Sequence, residues 1–222
     1  MNDQTHPLEW NEDGVPISQR FDDPYFSMHD GLAETRHVFL GGNDLFARFV
    51  DGFHIAELGF GTGLNLLATL KAWRQSGAPG VLQFTSFEAF PLARDQMAMA
   101  LKAFPEMDEL ASELLGALTG AGAKLHDLKF NLIIGDAREA LPQWGEKADA
   151  WFLDGFSPAK NPELWEGPLM HAVGDHTNTG GTVATYTAAG FVRRALGDAG
   201  FDVERVTGYG RKRHMTVGSK RA

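Results

Sequence analysis

The chemistry in this sequence is concentrated in acidic residues that follow short apolar runs and in one glycine-rich loop. The apolar run His54–Leu58 leads into Glu57-Leu58-Gly59-Phe60-Gly61-Thr62-Gly63. Glycines at alternate positions let the backbone turn tightly and approach a ligand closely. The helix expected next offers unpaired N–H groups and the positive end of its dipole, a seat for an anion. Glu57, at the strand end, can receive an ammonium group or brace the loop from beneath. Glu88 stands after the second apolar run, where a carboxylate can chelate ribose hydroxyls. Asp136 stands after the third, where a carboxylate can accept a hydrogen bond from an adenine amine. Each acid taken alone also suits a helix N-cap.

Taken together, these positions fit a ligand with a carboxylate, an ammonium, a ribose and an adenine, and S-adenosylmethionine carries all four. Gly59, Gly61, Gly63, Glu57, Glu88 and Asp136 are therefore the expected cofactor residues, and Phe87, Phe90 and Ala137 the expected apolar walls of the adenine. The spacing G-x-G-x-G differs from the G-x-G-x-x-G of dinucleotide-binding loops.

A fourth apolar run ends in Trp151-Phe152-Leu153-Asp154-Gly155-Phe156-Ser157-Pro158-Ala159-Lys160-Asn161-Pro162. An acid followed by an aromatic, Pro-rich loop suits methylation of an amine. A primary alkylamine is mostly protonated at neutral pH (pKa about 10, as for Lys). It must shed a proton and lie in line with the methyl group it receives. Asp154 can hold the ammonium, orient it and take the proton, and is the expected catalytic residue. Phe156 is placed to pack on a nucleobase and Lys160 to meet a phosphate; core packing and a solvated charge are the plain alternatives.

These residues need elements that bring them to one edge. From residue 53 the pattern alternates strand and helix. Strands are expected at His54–Leu58, Val81–Phe87, Phe130–Ile134, Ala148–Leu153, Thr182–Tyr186, Phe201–Val206 and His214–Gly218. Helices are expected over Asn65–Ser76, after Pro91 as far as Phe104, over Ala137–Trp144 and over Phe191–Ala199. Residues 107–128 read as a helix and a glycine-rich loop. The fold implied is α/β: a mostly parallel seven-stranded Rossmann-like sheet with helices on both faces. The last two strands leave no room for a helix between them and should form an antiparallel hairpin, as in class I S-adenosylmethionine-dependent methyltransferases. Ligands of such sheets sit beyond the carboxyl ends of the strands. Residues 1–50, with turns at Asn11–Gly14 and Asp22–Pro24 and a helical stretch over Gly31–Leu40, read as an extension packing on a domain spanning 51–222.

The chain has 222 residues, 43% of them hydrophobic, and a net charge of −9. Residues 193–222 hold eight Lys and Arg against three acids, a net +5, so the remainder carries −14. An acidic body argues against nucleic acid, whereas a basic edge can still dock a polyanion. Cysteine is absent, which excludes disulfides and thiolate metal sites; no metal is expected. The opening residues lack the basic and apolar regions of a secretion signal, and no apolar run reaches membrane-spanning length. The cytoplasm is the expected location.

The segments 21–45 (FDDPYFSMHDGLAETRHVFLGGNDL), 57–65 (ELGFGTGLN), 86–92 (SFEAFPL), 149–165 (DAWFLDGFSPAKNPELW), 190–196 (GFVRRAL) and 208–215 (GYGRKRHM) resemble the methyltransferase domain of the MnmC family, bifunctional enzymes of tRNA wobble-uridine modification. The resemblance spans roughly residues 8–218, and its most specific part is the block around Asp154. It implies methyl transfer from S-adenosylmethionine to the amine of 5-aminomethyl-(2-thio)uridine at the wobble position. It also implies that Gly59, Gly61, Glu88, Asp136 and Asp154 line the site and that Tyr25 closes over the cofactor. Arg193, Arg194, Arg211, Lys212 and Arg213 become candidate contacts to tRNA phosphates. The family carries a flavin-dependent domain after this one; the present sequence ends at Ala222, so neither FAD nor carboxymethyl removal is expected of it. No DNA, membrane or obligate protein partner is implied. The competing readings are an N-methyltransferase of another nucleoside or small amine, a nicotinamide-dependent oxidoreductase, and a non-catalytic tRNA-binding subunit. The glycine spacing, the closing hairpin and the lack of a Tyr-x-x-x-Lys pair weigh against the oxidoreductase. The joint presence of Glu88, Asp136 and Asp154 weighs against the non-catalytic subunit.

Overall fold

The computed structural model describes residues 8–12, 14–27 and 30–222. The leader reading of residues 1–7, Asp13 of the first turn, and Met28 and His29 of the 21–45 motif lie outside the described residues.

The N-terminal part begins with three short antiparallel strands, β1 (Leu8–Trp10), β2 (Pro16–Ser18) and β3 (Asp23–Pro24). Helix α1 (Gly31–Thr35) is capped by Asp30 and continues into a π-helical turn over Arg36–Gly41, followed by α2 (Leu45–Arg48). The α/β part then runs β4 (His54–Leu58), α3 (Leu64–Ser76), β5 (Leu82–Glu88), α4 (Arg94–Leu101), α5 (Asp108–Ala117), β6 (Gly122–Lys124) and β7 (Leu128–Ile134). It continues through α6 (Ala137–Ala140), β8 (Ala148–Leu153), α7 (Gly167–Asp175), β9 (Thr177–Thr185), α8 (Gly190–Asp198), β10 (Phe201–Thr207) and β11 (His214–Lys220).

These strands form one sheet in the order β10-β11-β9-β8-β4-β5-β7-β6. The run from β9 through β7 is parallel, and β11 is antiparallel to both β9 and β10. The expected α/β class and closing hairpin are therefore present. All five residues of β4 are buried, as the centre of a sheet covered on both faces requires.

Alternation along each strand divides the core in two. Phe84 and Phe152 face the layer that holds α3, α5 and the N-terminal helices. Trp151 and Leu153 face the layer of α7 and α8. The N-terminal helices are built into the first layer. Phe39 stacks on Phe152 with ring centroids 5.1 Å apart. Buried Asn43 donates to the Phe39 carbonyl and accepts from Thr182 Oγ1 at 2.7 Å.

The sheet has eight strands where seven were expected. The additional edge strand, β6, pairs antiparallel with β7. It is three residues long, too short to show a period, and it opens at Gly122, whose φ is +124°. A Cβ there would lie 2.0 Å from the Phe130 carbonyl oxygen, so this pairing needs glycine. Helix α7 was also not anticipated, because Gly167, Pro168 and Gly174 dilute its helical signal. Strand β9 begins earlier than expected and absorbs Gly180 and Gly181 through a register shift against β8. Pro91 precedes α4 rather than opening it.

Phe152 joins the central strands to the N-terminal helices and is fully buried. Phe152→Ala is expected to lower unfolding free energy by ~3–5 kcal/mol, measured by urea denaturation.

Candidate active site

The register of the central strands assembles the site. Leu58 of β4 lies opposite Phe87 of β5 and Leu153 of β8. The next residues, Gly59, Glu88 and Asp154, therefore leave the sheet at one level. Glu88 lies opposite Ile134 of β7, which brings Asp136 to the same edge. From β4 the chain winds outward through β5 to β7 and then returns to β8 on the other side of β4. Gly59 and Asp154 thus flank the switch point, where such sheets bind ligands.

The glycine loop departs from ordinary backbone. Gly59, Gly61 and Gly63 have φ of +84°, +53° and +80°. A Cβ on Gly59 would lie 3.2 Å from the Asp154 carbonyl oxygen, and one on Gly61 would lie 3.2 Å from the Tyr25 ring. Glu88 braces the loop, accepting from Gly61 N at 3.0 Å through one oxygen and from Phe90 N at 2.8 Å through the other. Each oxygen retains a lone pair for a further donor.

Asp154 and Glu57 share one amide. Asn65, in the first turn of α3, donates through Nδ2 to Asp154 Oδ2 and to Glu57 Oε1, both at 2.8 Å. Its Oδ1 accepts from Thr35 Oγ1 at 2.8 Å. Glu57 also accepts from Ser86 Oγ at 2.7 Å. Burial pushes the Glu57 carboxyl well above the usual carboxylate range, against the pull of these two donors. Burial likewise pushes Asp154 up to about 6, although the Gly155 N–H and Asn65 oppose it. Beside Asp154, the Tyr186 hydroxyl donates to the Gly155 carbonyl at 2.8 Å.

A cavity of about 890 Å³ opens over this edge, lined by Gly59, Gly61, Asn65, Glu88, Asp136, Ala137 and Asp154. That volume is in the range of cofactor and ligand pockets. Its cover comes from the N-terminal part and the loop after β8. Phe156 stacks on Phe21 at 4.6 Å and meets Tyr25 edge-on at 5.1 Å. Arg20 lies 4.4 Å over the Phe90 ring. Asp23 accepts from the Ser157 N–H at 2.8 Å, and Lys160 pairs with Asp22. Burial, with Glu88 nearby, raises the Tyr25 phenol above its ordinary range.

The structure gathers most of the expected residues and displaces some. Tyr25, Gly59, Gly61, Glu88, Asp136, Ala137, Asp154, Phe156 and Lys160 line the cavity. Glu57 does not: it is fully buried beneath the loop, where it braces Asn65. Gly63 lies behind the wall as the N-cap of α3. Asp136 faces the cavity and also caps α6, accepting from the Arg138 N–H at 2.9 Å. Its ion pair with Arg138 holds its carboxyl below the usual range. Lys160 is engaged by Asp22 rather than free. Arg193 is half-buried, with its Nε enclosed and without an acceptor among the described residues. Arg194, Arg211 and Arg213 are exposed. Lys212 turns into the cavity wall and pairs with Glu34 at 2.7 Å.

Among the cavity residues not singled out from the sequence, three stand out: Asn65, Glu34 and Ile134. Asn65 closes the glycine motif, and its place in the first turn of α3 is the available signal. Glu34 shows only through the N-terminal packing. Ile134 is 47% exposed at the end of β7, apolar surface facing the Asp136 side of the cavity.

The fold and the glycine loop define a methyltransferase class. Residues 105–221, just over half of the chain, match the model of a family of S-adenosyl-L-methionine-dependent methyltransferases, and the chain belongs to that family. It is 47% identical over 229 residues to the tRNA 5-methylaminomethyl-2-thiouridine biosynthesis bifunctional protein MnmC of Caulobacter sp. strain K31, covering 96% of this chain and 38% of that protein. It is 44% identical over 233 residues to the MnmC protein of Pseudomonas paraeruginosa strain PA7, covering 99% of this chain and 36% of that one. The crystal structure of MnmC2 from Aquifex aeolicus superposes with a TM-score of 0.80 at 27% identity, over 100% of this chain and 72% of the other. The chain thus spans little more than a third of the length of the curated relatives it matches. Among the described residues no cluster of three His, Asp or Glu is placed to hold a metal ion, and no helix is long and apolar enough to cross a membrane.

The cavity fits S-adenosylmethionine on the structure's own terms. Positive-φ glycines bring backbone to its wall, Glu88 keeps two lone pairs, and Ile134 and Ala137 offer apolar surface. Gly59→Ala adds a methyl group at a positive φ against Asp154. It is expected to weaken S-adenosylmethionine binding by about tenfold or more, read by calorimetric titration; unchanged affinity would remove the loop from the cofactor site.

Proposed function

We propose that this chain transfers the methyl group of S-adenosylmethionine to the primary amine of 5-aminomethyl-(2-thio)uridine at the tRNA wobble position, giving 5-methylaminomethyl-(2-thio)uridine, in the cytoplasm. The observation that carries this reading is Asp154, a carboxylate held by Asn65 at the cavity wall beside the glycine loop. The names of the MnmC relatives, similar along almost the whole chain, support the choice of substrate.

Tyr25, Gly59, Gly61, Glu88, Asp136 and Ala137 hold the cofactor, which when bound supplies an electrophilic methyl group on a sulfonium. Asp154 draws in the substrate ammonium, orients it and accepts its proton. Proton transfer from an amine of pKa near 10 to a carboxylate near 6 costs about 5 kcal/mol, whereas an ordinary carboxylate near 4 would make it about 8. The buried site thus lowers the cost of exposing the amine lone pair. Phe156 and the Phe21 ring form an aromatic face for the base. Arg194, Arg211 and Arg213 give a basic edge for phosphates, and Arg193 and Lys160 are at most secondary to it.

The direct test incubates labelled S-adenosylmethionine with tRNA from cells lacking this modification and then digests the RNA to nucleosides. Label on 5-methylaminomethyluridine derivatives is expected. Absence of label, with S-adenosylmethionine binding intact, would discard the substrate.

Since only ionised Asp154 can hold the ammonium, kcat/KM is expected to fall as pH drops below about 6. Asp154→Asn is expected to lose at least ~10²-fold in rate without melting lower at pH 7 to 8. A carboxyl whose pKa is raised in the folded state stabilises the fold below its unfolded pKa and loses that contribution as pH rises through about 6. Rates and melting temperatures from pH 5 to 8 check both statements. Reversing Arg211 and Arg213 to Glu is expected to weaken tRNA binding and make the slope of log K against log salt shallower by about 1.5; an unchanged slope would place the RNA on another face.

A further inference from the structure

Of the basic run Arg211–Arg213, Lys212 alone lines the cavity. Its Nζ sits 4.0 Å over the Tyr186 ring and 2.7 Å from Glu34 Oε1. The Tyr186 hydroxyl is bonded to Gly155, next to Asp154. From the other side, Thr35 follows Glu34 and holds Asn65, which holds Asp154. Asp154, Gly155, Tyr186, Lys212, Glu34, Thr35 and Asn65 therefore form a closed circuit on one wall, made of these contacts and the two peptide links Asp154–Gly155 and Glu34–Thr35. Within it the chemistry follows a fixed order: a carboxylate at Asp154, a donor at Lys212, an acceptor at Glu34.

The Glu34–Lys212 pair uses one donor of an ammonium that has three, and one lone pair of a carboxylate that has about four. Lys212 is 44% exposed and Glu34 13%, so both can face a ligand while staying paired. Uracil presents the matching order along one edge: a C5 substituent, then the O4 acceptor, then the N3–H donor. Cytosine presents the reverse polarity at its last two positions, an amino donor and a ring-nitrogen acceptor. Enzymes that act on an extruded base commonly read this edge.

We propose that Glu34 and Lys212 select a uracil base. Lys212 Nζ donates to O4 and Glu34 accepts from N3–H, while the amine on C5 rests at Asp154. This inference rests on the wobble-uridine reading and adds the residues that recognise the base. It also gives the N-terminal part a share in specificity, since Glu34 belongs to α1. A pair built for hydrogen bonding rejects a base that leaves it unmatched, because its own groups are then desolvated without partners.

The test uses anticodon stem-loop RNAs carrying 5-aminomethyluridine, the same base methylated at N3, and the same base with sulfur in place of O4. Wild-type protein is expected to methylate the first and to lose about tenfold or more in kcat/KM on the N3-methylated base. Glu34→Ala is expected to lose a similar factor on the unmodified base and to stop discriminating against the N3-methyl group, with S-adenosylmethionine affinity within about twofold of wild type. Lys212→Met is expected to lose the wild-type preference for oxygen over sulfur at C4. A pair that merely fastens α1 to the sheet would slow all three RNAs by one common factor, and discrimination kept at the wild-type ratio in both variants would overturn the proposal. Should Glu34→Ala not fold, the Lys212→Met comparison decides alone. Wild-type failure on the unmodified loop would instead remove the wobble-uridine reading itself, and this proposal with it.

Discussion

A single side-chain amide holds the site together. Asn65 offers two N–H protons, and each goes to a carboxylate, Glu57 on β4 and Asp154 after β8. Its carbonyl is taken by Thr35 of α1, which fixes which end of the amide faces the acids. Two carboxyl groups out of water would otherwise repel each other and suffer desolvation with nothing in return. The amide and Ser86 meet that cost by hydrogen bonding, and burial raises both carboxyl pKa values. One residue thus ties together the helix after the glycine loop, both strands that flank the switch point and the N-terminal part.

The rest of the molecule supplies the conditions for that contact. Parallel pairing of β4 with β5 and β8 sets Gly59, Glu88 and Asp154 level at one edge. Lack of a side chain at Gly59 lets the loops after β4 and β8 touch. The N-terminal helices join the same hydrophobic core through Phe39 and Phe152, which brings Thr35 and Glu34 to the cavity. Phe21, Tyr25 and Phe156 then cover it, and the Asp23 contact to Ser157 holds the cover to the loop after β8. Burial at this wall raises the Asp154 pKa.

Much of this was legible in the sequence. Alternating apolar runs marked the five strands of the parallel part, and the short link between Val206 and His214 required the antiparallel hairpin. The acids at strand ends were legible because strand-end position alone puts a side chain at the ligand edge. What escaped depends on contacts between distant segments. For Glu57 the sequence left two roles open, ligand contact or a brace beneath the loop, and only the contacts with Asn65 and Ser86 decide for the second. Lys212 looks like one of three surface cations until the hairpin turn directs it inward to Glu34, 178 positions away in the chain. β6 has too few residues for a period and depends on a glycine conformation that composition does not reveal. Asn65 carried no charge to attract notice, although its side chain bonds three different residues of the site, Asp154, Glu57 and Thr35.

The central claim, that Asn65 sets the state of Asp154, is tested most directly by the pH dependence of kcat/KM for methyl transfer in Asn65→Ala. Asn65 is one of the groups that lower the Asp154 pKa. Its loss should move the acid limb upward from about 6 and reduce the plateau rate. An acid limb that stays where the wild-type protein has it, with the plateau intact, would contradict the account.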